Sequence, residues 1–154
     1  ASGKPYLGIC LGAQMIVRTL GGQVELHPAE LVEIGYHPIK PTGPGRAIFD
    51  KPMCVYQWHK EGFDLPKGAE LLASGERFDN QAFKYGDAAY GIQFHPEVTN
   101  GMMMRWLTNA SHMLEFPGAQ AHADQVRARR RHDGETIRWL QNFLRSWLGI
   151  QDTA

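Results

Sequence analysis

Gly8-Ile9-Cys10-Leu11-Gly12 sets a cysteine between two glycines, where the short apolar run Tyr6-Leu7-Gly8-Ile9 gives way to a helical pattern. The run suits a buried strand. Gly12 to Leu20 suits a helix, with Met15, Ile16, Thr19 and Leu20 near one face and Gly21-Gly22 ending it. A nucleophile on such a strand-to-helix turn is held in a strained conformation, and flanking glycines let neighbouring backbone approach closely. The first amides of the helix then point at the sulfur, favouring a thiolate and, during reaction, an oxyanion. Taken alone, the pattern also fits a buried core cysteine between two incidental glycines.

From Gln23 onward, short strand-like runs alternate with turns rich in proline and glycine. Gln23 to Leu26, Val32 to Tyr36, Cys54 to Trp58, Ala69 to Ala73, Gln81 to Lys84 and Ala88 to Phe94 are predicted as strands. After Pro96 the pattern is helical: Thr99 to Leu114, then a more polar Ala119 to Arg131. A last helix carries Ile137, Leu140, Leu144, Trp147 and Leu148 on one stripe. With no repeat and no long linker, residues 1–154 are predicted to form a single α/β domain. The expected sheet is mostly parallel with helices on both faces, plus a small antiparallel element. Because the nucleophile strand comes first, the strands that normally flank it are expected to be missing, so the chain is expected to lack an N-terminal segment.

Lys+Arg and Asp+Glu are equal at 16 each, so no net field draws nucleic acid or an anionic membrane. No apolar run nears the roughly 20 residues of a membrane helix, and the start does not read as a secretory signal. Two cysteines, Cys10 and Cys54, in a chain long enough for a real core are expected as free thiols in a reducing, cytoplasmic compartment.

A second cluster, Gly91-Ile92-Gln93-Phe94-His95-Pro96-Glu97, closes the last predicted strand. Side chains two apart share a face of a strand, so His95 and Glu97 reach one site if that geometry persists past Pro96. A cysteine nucleophile needs a base, and the base needs an acid to hold its tautomer. His95 and Glu97 supply those chemistries. By itself, His-Pro-Glu at a strand end is more often a surface turn than a catalytic pair.

Together, Gly8-Ile9-Cys10-Leu11-Gly12-Ala13-Gln14 and Gly91-Ile92-Gln93-Phe94-His95-Pro96-Glu97 resemble the two signature motifs of class I glutamine amidotransferases. The resemblance, closest to stand-alone members of the GMP-synthase-amidotransferase type, implies a flavodoxin-like α/β fold. It implies Cys10 as nucleophile, His95 as base and Glu97 as orienting acid, with the Leu11 backbone N–H in the oxyanion hole and Gln14 holding substrate. Gln57 to Pro66 is similar to a family loop usually written His-Trp-His-Gly-Asp-x-Phe-x-Leu-Pro, whose backbone meets the amino-acid end of the substrate. Here Gln57 replaces His and Lys60 replaces Gly, and His59, Lys60 and Glu61 are the candidate substrate-binding residues. Asn80-Gln81-Ala82-Phe83 is also similar to a stretch of stand-alone members. The implied reaction releases ammonia from glutamine through a γ-glutamyl thioester, without metal or organic cofactor. The implied partners are an acceptor or synthase protein and the chain's own N-terminal segment.

Two other functions stay open: a γ-glutamyl peptidase or hydrolase, and a non-catalytic binding relative with the same fold. A cysteine-bearing α/β-hydrolase is disfavoured, because its acid precedes its histidine. His112, His122 and His132 recur at a spacing that matches neither a helix face nor a metal box. Met102-Met103-Met104 reads as core packing, Arg127 to Arg131 as a solvated helix face, and Cys54 as an apolar filler.

Overall fold

The first strand, β1 (Tyr6–Ile9), runs into the first helix, α1 (Leu11–Thr19), with Cys10 alone between them. The structure is a computed structural model that describes residues 4–150. Seven more strands follow with no α-helix between them: β2 (Val24–Leu26), β3 (Glu33–Pro41), β4 (Met53–His59), β5 (Glu61–Phe63), β6 (Ala69–Gly75), β7 (Ala82–Tyr85) and β8 (Ala89–Ile92). Helices α2 (Asn100–Asn109) and α3 (His122–Leu148) come last. Among the described residues, no helix is long and apolar enough to cross a membrane.

Six strands form one sheet in the order β1-β8-β7-β6-β3-β4, and β2 pairs with β5 as a small antiparallel ribbon. The ribbon matches the expected antiparallel element. The main sheet, expected to be mostly parallel, is mixed. Among the described residues only β1 and β8 pair in parallel, and the other four pairings are antiparallel. Parallel neighbours need a crossover of a dozen or more residues, whereas a short turn returns a strand antiparallel. The route from β1 to β8 carries the α-helix α1, whereas β2 to β8 are joined by turns and one short 3-10 segment, Pro44–Ala47.

Helices do cover both faces. Successive strand residues point to opposite sides, and β8 makes the division visible. Tyr90 packs against Phe143 and Trp147 of α3, and Ile92 lies in the same core as Phe94, Trp139 and Phe143. Gly91 instead faces Phe83, which packs with Ala13 and Val17 of α1 and with Phe63. A third core joins Tyr36 and Tyr56 to Met103 and Leu107 of α2.

Element boundaries differ from expectation: β8 stops at Ile92 rather than Phe94, β5 had no sequence signal, and three further differences are larger. The segments Ala119 to Arg131 and the last amphipathic stretch are one continuous helix, α3, which passes straight through Gly134. A glycine costs a helix interior only about 1 kcal/mol, and tertiary contacts offset it here. The Tyr36 hydroxyl donates to Asp133, and Arg129 pairs with the same carboxylate. Strand β3 runs on past Tyr36 to Pro41. Pro38 is tolerated because β6 joins β3 only from Ile39, so at Pro38 one edge is unpaired. The helix expected over Thr99 to Leu114 is α2 followed by a separate 3-10 segment, Ser111–Glu115.

Candidate active site

Cys10 has φ 48° and ψ −105°, a conformation that L residues rarely adopt and that costs about 1–3 kcal/mol when the surroundings impose it. Here the surroundings do impose it. The Cys10 N–H donates to the Ile92 carbonyl at 2.8 Å, continuing the β1–β8 ladder, while its own carbonyl accepts from the Gln14 N–H at 3.0 Å, opening α1. The residue therefore belongs to a strand on one side and a helix on the other. Gly8 allows the sharp return: a Cβ there would stand 2.6 Å from the carbonyl carbon and oxygen of Gly12. Leu11 is the first residue of α1, and the amides of a first helical turn have no carbonyl one turn back to bind.

Beyond β8 the backbone keeps the register that the site needs. The His95 N–H donates to the Tyr56 carbonyl at 2.8 Å, which ties this segment to β4. Just past Glu97, Thr99 caps α2 through its side chain, accepting from the Met102 N–H. His95 and Glu97 are thus held between a strand and a capped helix. The Nδ1–H of His95 donates to Oε1 of Glu97 at 2.7 Å, and the ring is electrostatically coupled to Cys10. Burial on its own would lower the His95 pKa. The interactions with Cys10 and Glu97 more than reverse that and push it up to about 9. The indole of Trp106, on α2, meets the imidazole edge-to-face with centroids 5.1 Å apart.

Gln14 is buried and turned toward the same place. Its Nε2 donates to the Glu61 carbonyl at 3.2 Å and to Oε1 of Gln93 at 3.4 Å, and Nε2 of Gln93 donates to the Cys10 sulfur at 3.5 Å. The His59 ring, with its side chain only 1% exposed, is spent elsewhere. Its Nδ1–H donates to the same Glu61 carbonyl at 2.9 Å, and its Nε2 meets Oε2 of Glu33 at 3.1 Å. Gln81 donates to that carboxylate oxygen at 2.8 Å, and Gln57 donates to Gln81 at 2.6 Å. A buried polar network therefore stands behind the loop, fixing where the Glu61 carbonyl lies. The ammonium of Lys60 lies over the Phe116 ring, 4.4 Å from its centroid.

Cys54 sits far from this chemistry in character. Burial, with some help from Glu135, pushes its thiol up to about 11, so it stays protonated at neutral pH. Among the described residues no three His, Cys, Asp or Glu side chains gather closely enough to hold a metal ion, His112, His122 and His132 included.

The structure brings Cys10, His95, Glu97, Leu11, Gln14 and the Glu61 backbone together; it keeps the His59 side chain out. Sequence patterns passed over Gln93, Trp106 and Glu33. Gln93 had a usable signal, since it lies two residues before His95 in the run predicted as a strand, where it would share its face. Trp106 and Glu33 had none, because only the packing of α2 and the pairing of β3 with β4 bring them close.

The family model for Glutamine amidotransferase class-I matches residues 1–113. The chain is 39% identical over 101 residues to a glutamine amidotransferase-like protein, YfeJ, of Salmonella typhimurium, covering 62% of this chain and 41% of that protein. It is 40% identical over 97 residues to a glutamine-hydrolysing GMP synthase subunit of Methanosphaera stadtmanae, covering 61% of this chain and 52% of that one. It thus spans about half or less of the length of these curated relatives. A crystal structure of a glutamine amidotransferase from Thermotoga maritima superposes with a TM-score of 0.79 at 32% identity, over 93% of this chain and 62% of that one.

Proposed function

This chain belongs to the class I glutamine amidotransferases, and on that premise we propose that it hydrolyses the side-chain amide of glutamine through Cys10 and delivers the ammonia to an acceptor. One observation carries this reading: His95 interacts with Cys10 while its Nδ1–H is held by Glu97. A carboxylate on Nδ1 selects the tautomer that leaves Nε2 for the sulfur, which is the arrangement a thiol–imidazole nucleophile requires.

In the proposed reaction the proton shared between Cys10 and His95 sits on Nε2 of the ring, and the sulfur attacks the amide carbon of glutamine as a thiolate. The carbonyl electron pair moves onto oxygen, where the Leu11 N–H stabilises it. The tetrahedral species collapses as His95 returns the proton to nitrogen; the C–N bond breaks and ammonia leaves a γ-glutamyl thioester. His95 then takes a proton from water, the hydroxide adds to the thioester, and glutamate departs with the sulfur again a thiolate. General acid–base help of this kind is worth about 10²–10⁴-fold.

Gln14 and the 59–61 loop hold the substrate in this reading. Because the His59 ring is turned inward, His59 serves by fixing the Glu61 carbonyl, and Lys60 and Glu61 line the approach. Residues 1–154 act as one amidotransferase domain. A synthase partner as ammonia acceptor fits the Methanosphaera stadtmanae relative, which is named as one subunit of a GMP synthase. The test is turnover by the full-length protein, with and without candidate synthase partners. Ammonia released from glutamine supports the proposal. Release of amines from γ-glutamyl amines with glutamine untouched would replace it with a γ-glutamyl hydrolase.

A further inference from the structure

Gln93 is completely buried, and a buried amide must find partners at both ends. Its backbone N–H goes to the Gln81 carbonyl at 2.8 Å. Its side chain lies between Gln14 and Cys10. Which end of each amide faces which neighbour follows from the Glu61 carbonyl. That oxygen can only accept, so the end of Gln14 touching it is the NH₂ group. The same NH₂ of Gln14 faces Gln93, so Gln93 must present its carbonyl there. The other end of Gln93, pointing at the Cys10 sulfur, is therefore an N–H donor. Flipping Gln93 would set two donors against each other at one end and two acceptors at the other, once the sulfur is a thiolate.

We propose that Gln93 is a further positioning residue of the site, its one amide stabilising the Cys10 thiolate through the N–H and aligning the substrate-holding Gln14 through the carbonyl. This rests on the assignment of Cys10 as nucleophile made above. Polarity set by the backbone of the 59–61 loop is passed through Gln14 and Gln93 to the sulfur. The loop that contacts substrate and the nucleophile are then coupled by a continuous line of hydrogen bonds. Both ends of the Gln93 amide serve the site, so its loss is felt by the sulfur and by Gln14 together.

The experiment is the pH dependence of Cys10 alkylation by iodoacetamide in the full-length protein, for wild type, Gln93→Met and Gln93→Asn. Methionine keeps the length and removes the donor; asparagine keeps a buried amide but withdraws it by one methylene. Hydrogen bonds to charged groups are worth enough to move an ionisation by about one unit. Each variant should shift the alkylation midpoint upward by about that much, slow alkylation at neutral pH about tenfold, and raise KM for glutamine. An unshifted midpoint in whichever variant folds, verified by its melting transition, overturns the proposal. Wild type in which Cys10 is not preferentially alkylated overturns the nucleophile assignment itself, so the two failures are told apart.

Discussion

The backbone N–H of Cys10 donates to the carbonyl of Ile92 at 2.8 Å, so the strand ending in the cysteine and the strand leading to His95 finish side by side. In a parallel pair, neighbouring strands end at the same edge. Cys10 and His95 each lie just past that edge, one entering a helix and the other a turn toward α2. The same bond helps hold Cys10 at its positive φ, coupling the strain of the elbow to the placement of the histidine.

Cys10 and Cys54 should differ sharply in reactivity. A glutamine-analogue electrophile is expected to label Cys10 and spare Cys54, whose thiol is pushed up to about 11. Cys10→Ala should abolish glutamine hydrolysis, while Cys54→Ala should leave it within about twofold, since Cys54 takes no part in the acid–base chemistry. Peptide mapping of the labelled protein reads the result, and equal labelling would remove Cys10 from its role.

His95 and Glu97 should not be equivalent. His95→Ala is expected to lower kcat by about 10²–10⁴-fold, since it removes the proton carrier. Glu97→Gln keeps a group that can accept from Nδ1–H and should cost less. Steady-state kinetics decide; a larger loss from Glu97→Gln would reverse the assignment of base and orienter.

The pH dependence of stability should carry the mark of His95. Burial opposes its charge, yet Cys10 and Glu97 raise its pKa to about 9. A histidine raised above its unfolded value of about 6.5 contributes fully below that pH and loses the contribution as pH rises through its folded pKa. Melting temperature should therefore fall between roughly pH 6.5 and 9 by an amount equivalent to at most about 3 kcal/mol. His95→Gln should flatten that slope, and Cys10→Ala should move it to lower pH. A slope unchanged by both substitutions would dissociate it from His95.

The two glycines of the elbow should respond in opposite ways. At Gly8 a Cβ would meet the Gly12 carbonyl at 2.6 Å and the Ala13 nitrogen at 2.7 Å, all backbone. Gly8→Ala should cost about 3 kcal/mol or more, because neither atom set can yield without moving the strand or the helix. A Cβ at Gly12 meets nothing within 4 Å. Gly12→Ala should be neutral or stabilise by up to about 1 kcal/mol, as expected for alanine in a helix. Chemical denaturation of both variants measures the contrast.

Trp139 should be a principal anchor of α3. It stacks on Phe49 at 4.9 Å, contacts Phe94 and Phe143, and its Nε1–H donates to the Ile48 carbonyl at 2.8 Å. Trp139→Ala should lower unfolding free energy by about 3–5 kcal/mol. A loss under about 1 kcal/mol would mean that α3 is held mainly by its other contacts.

Local chemistry made much of this protein readable from its residues. The Gly-x-Cys-x-Gly pattern marks a strand-to-helix turn because Gly8 lets the backbone of the first helical turn pack against the strand, and Cys10 is found in such a turn. His95, Pro96 and Glu97 mark the exit from a strand, since proline cannot continue a ladder, although β8 itself stops earlier, at Ile92. Those signals are short-range: the residues that carry them are also the ones that produce the geometry. Pairing directions, the continuity of α3 through Gly134, and the inward turn of His59 are different in kind. Each depends on partners distant along the chain: β6 and β4 beside β3, Tyr36 against Asp133, Glu33 against the imidazole. The sequence places Gly8 and Gly12 in identical roles, yet only one has backbone packed against its missing Cβ. Close packing between distant segments decides such differences, and no local pattern encodes which atoms will be neighbours.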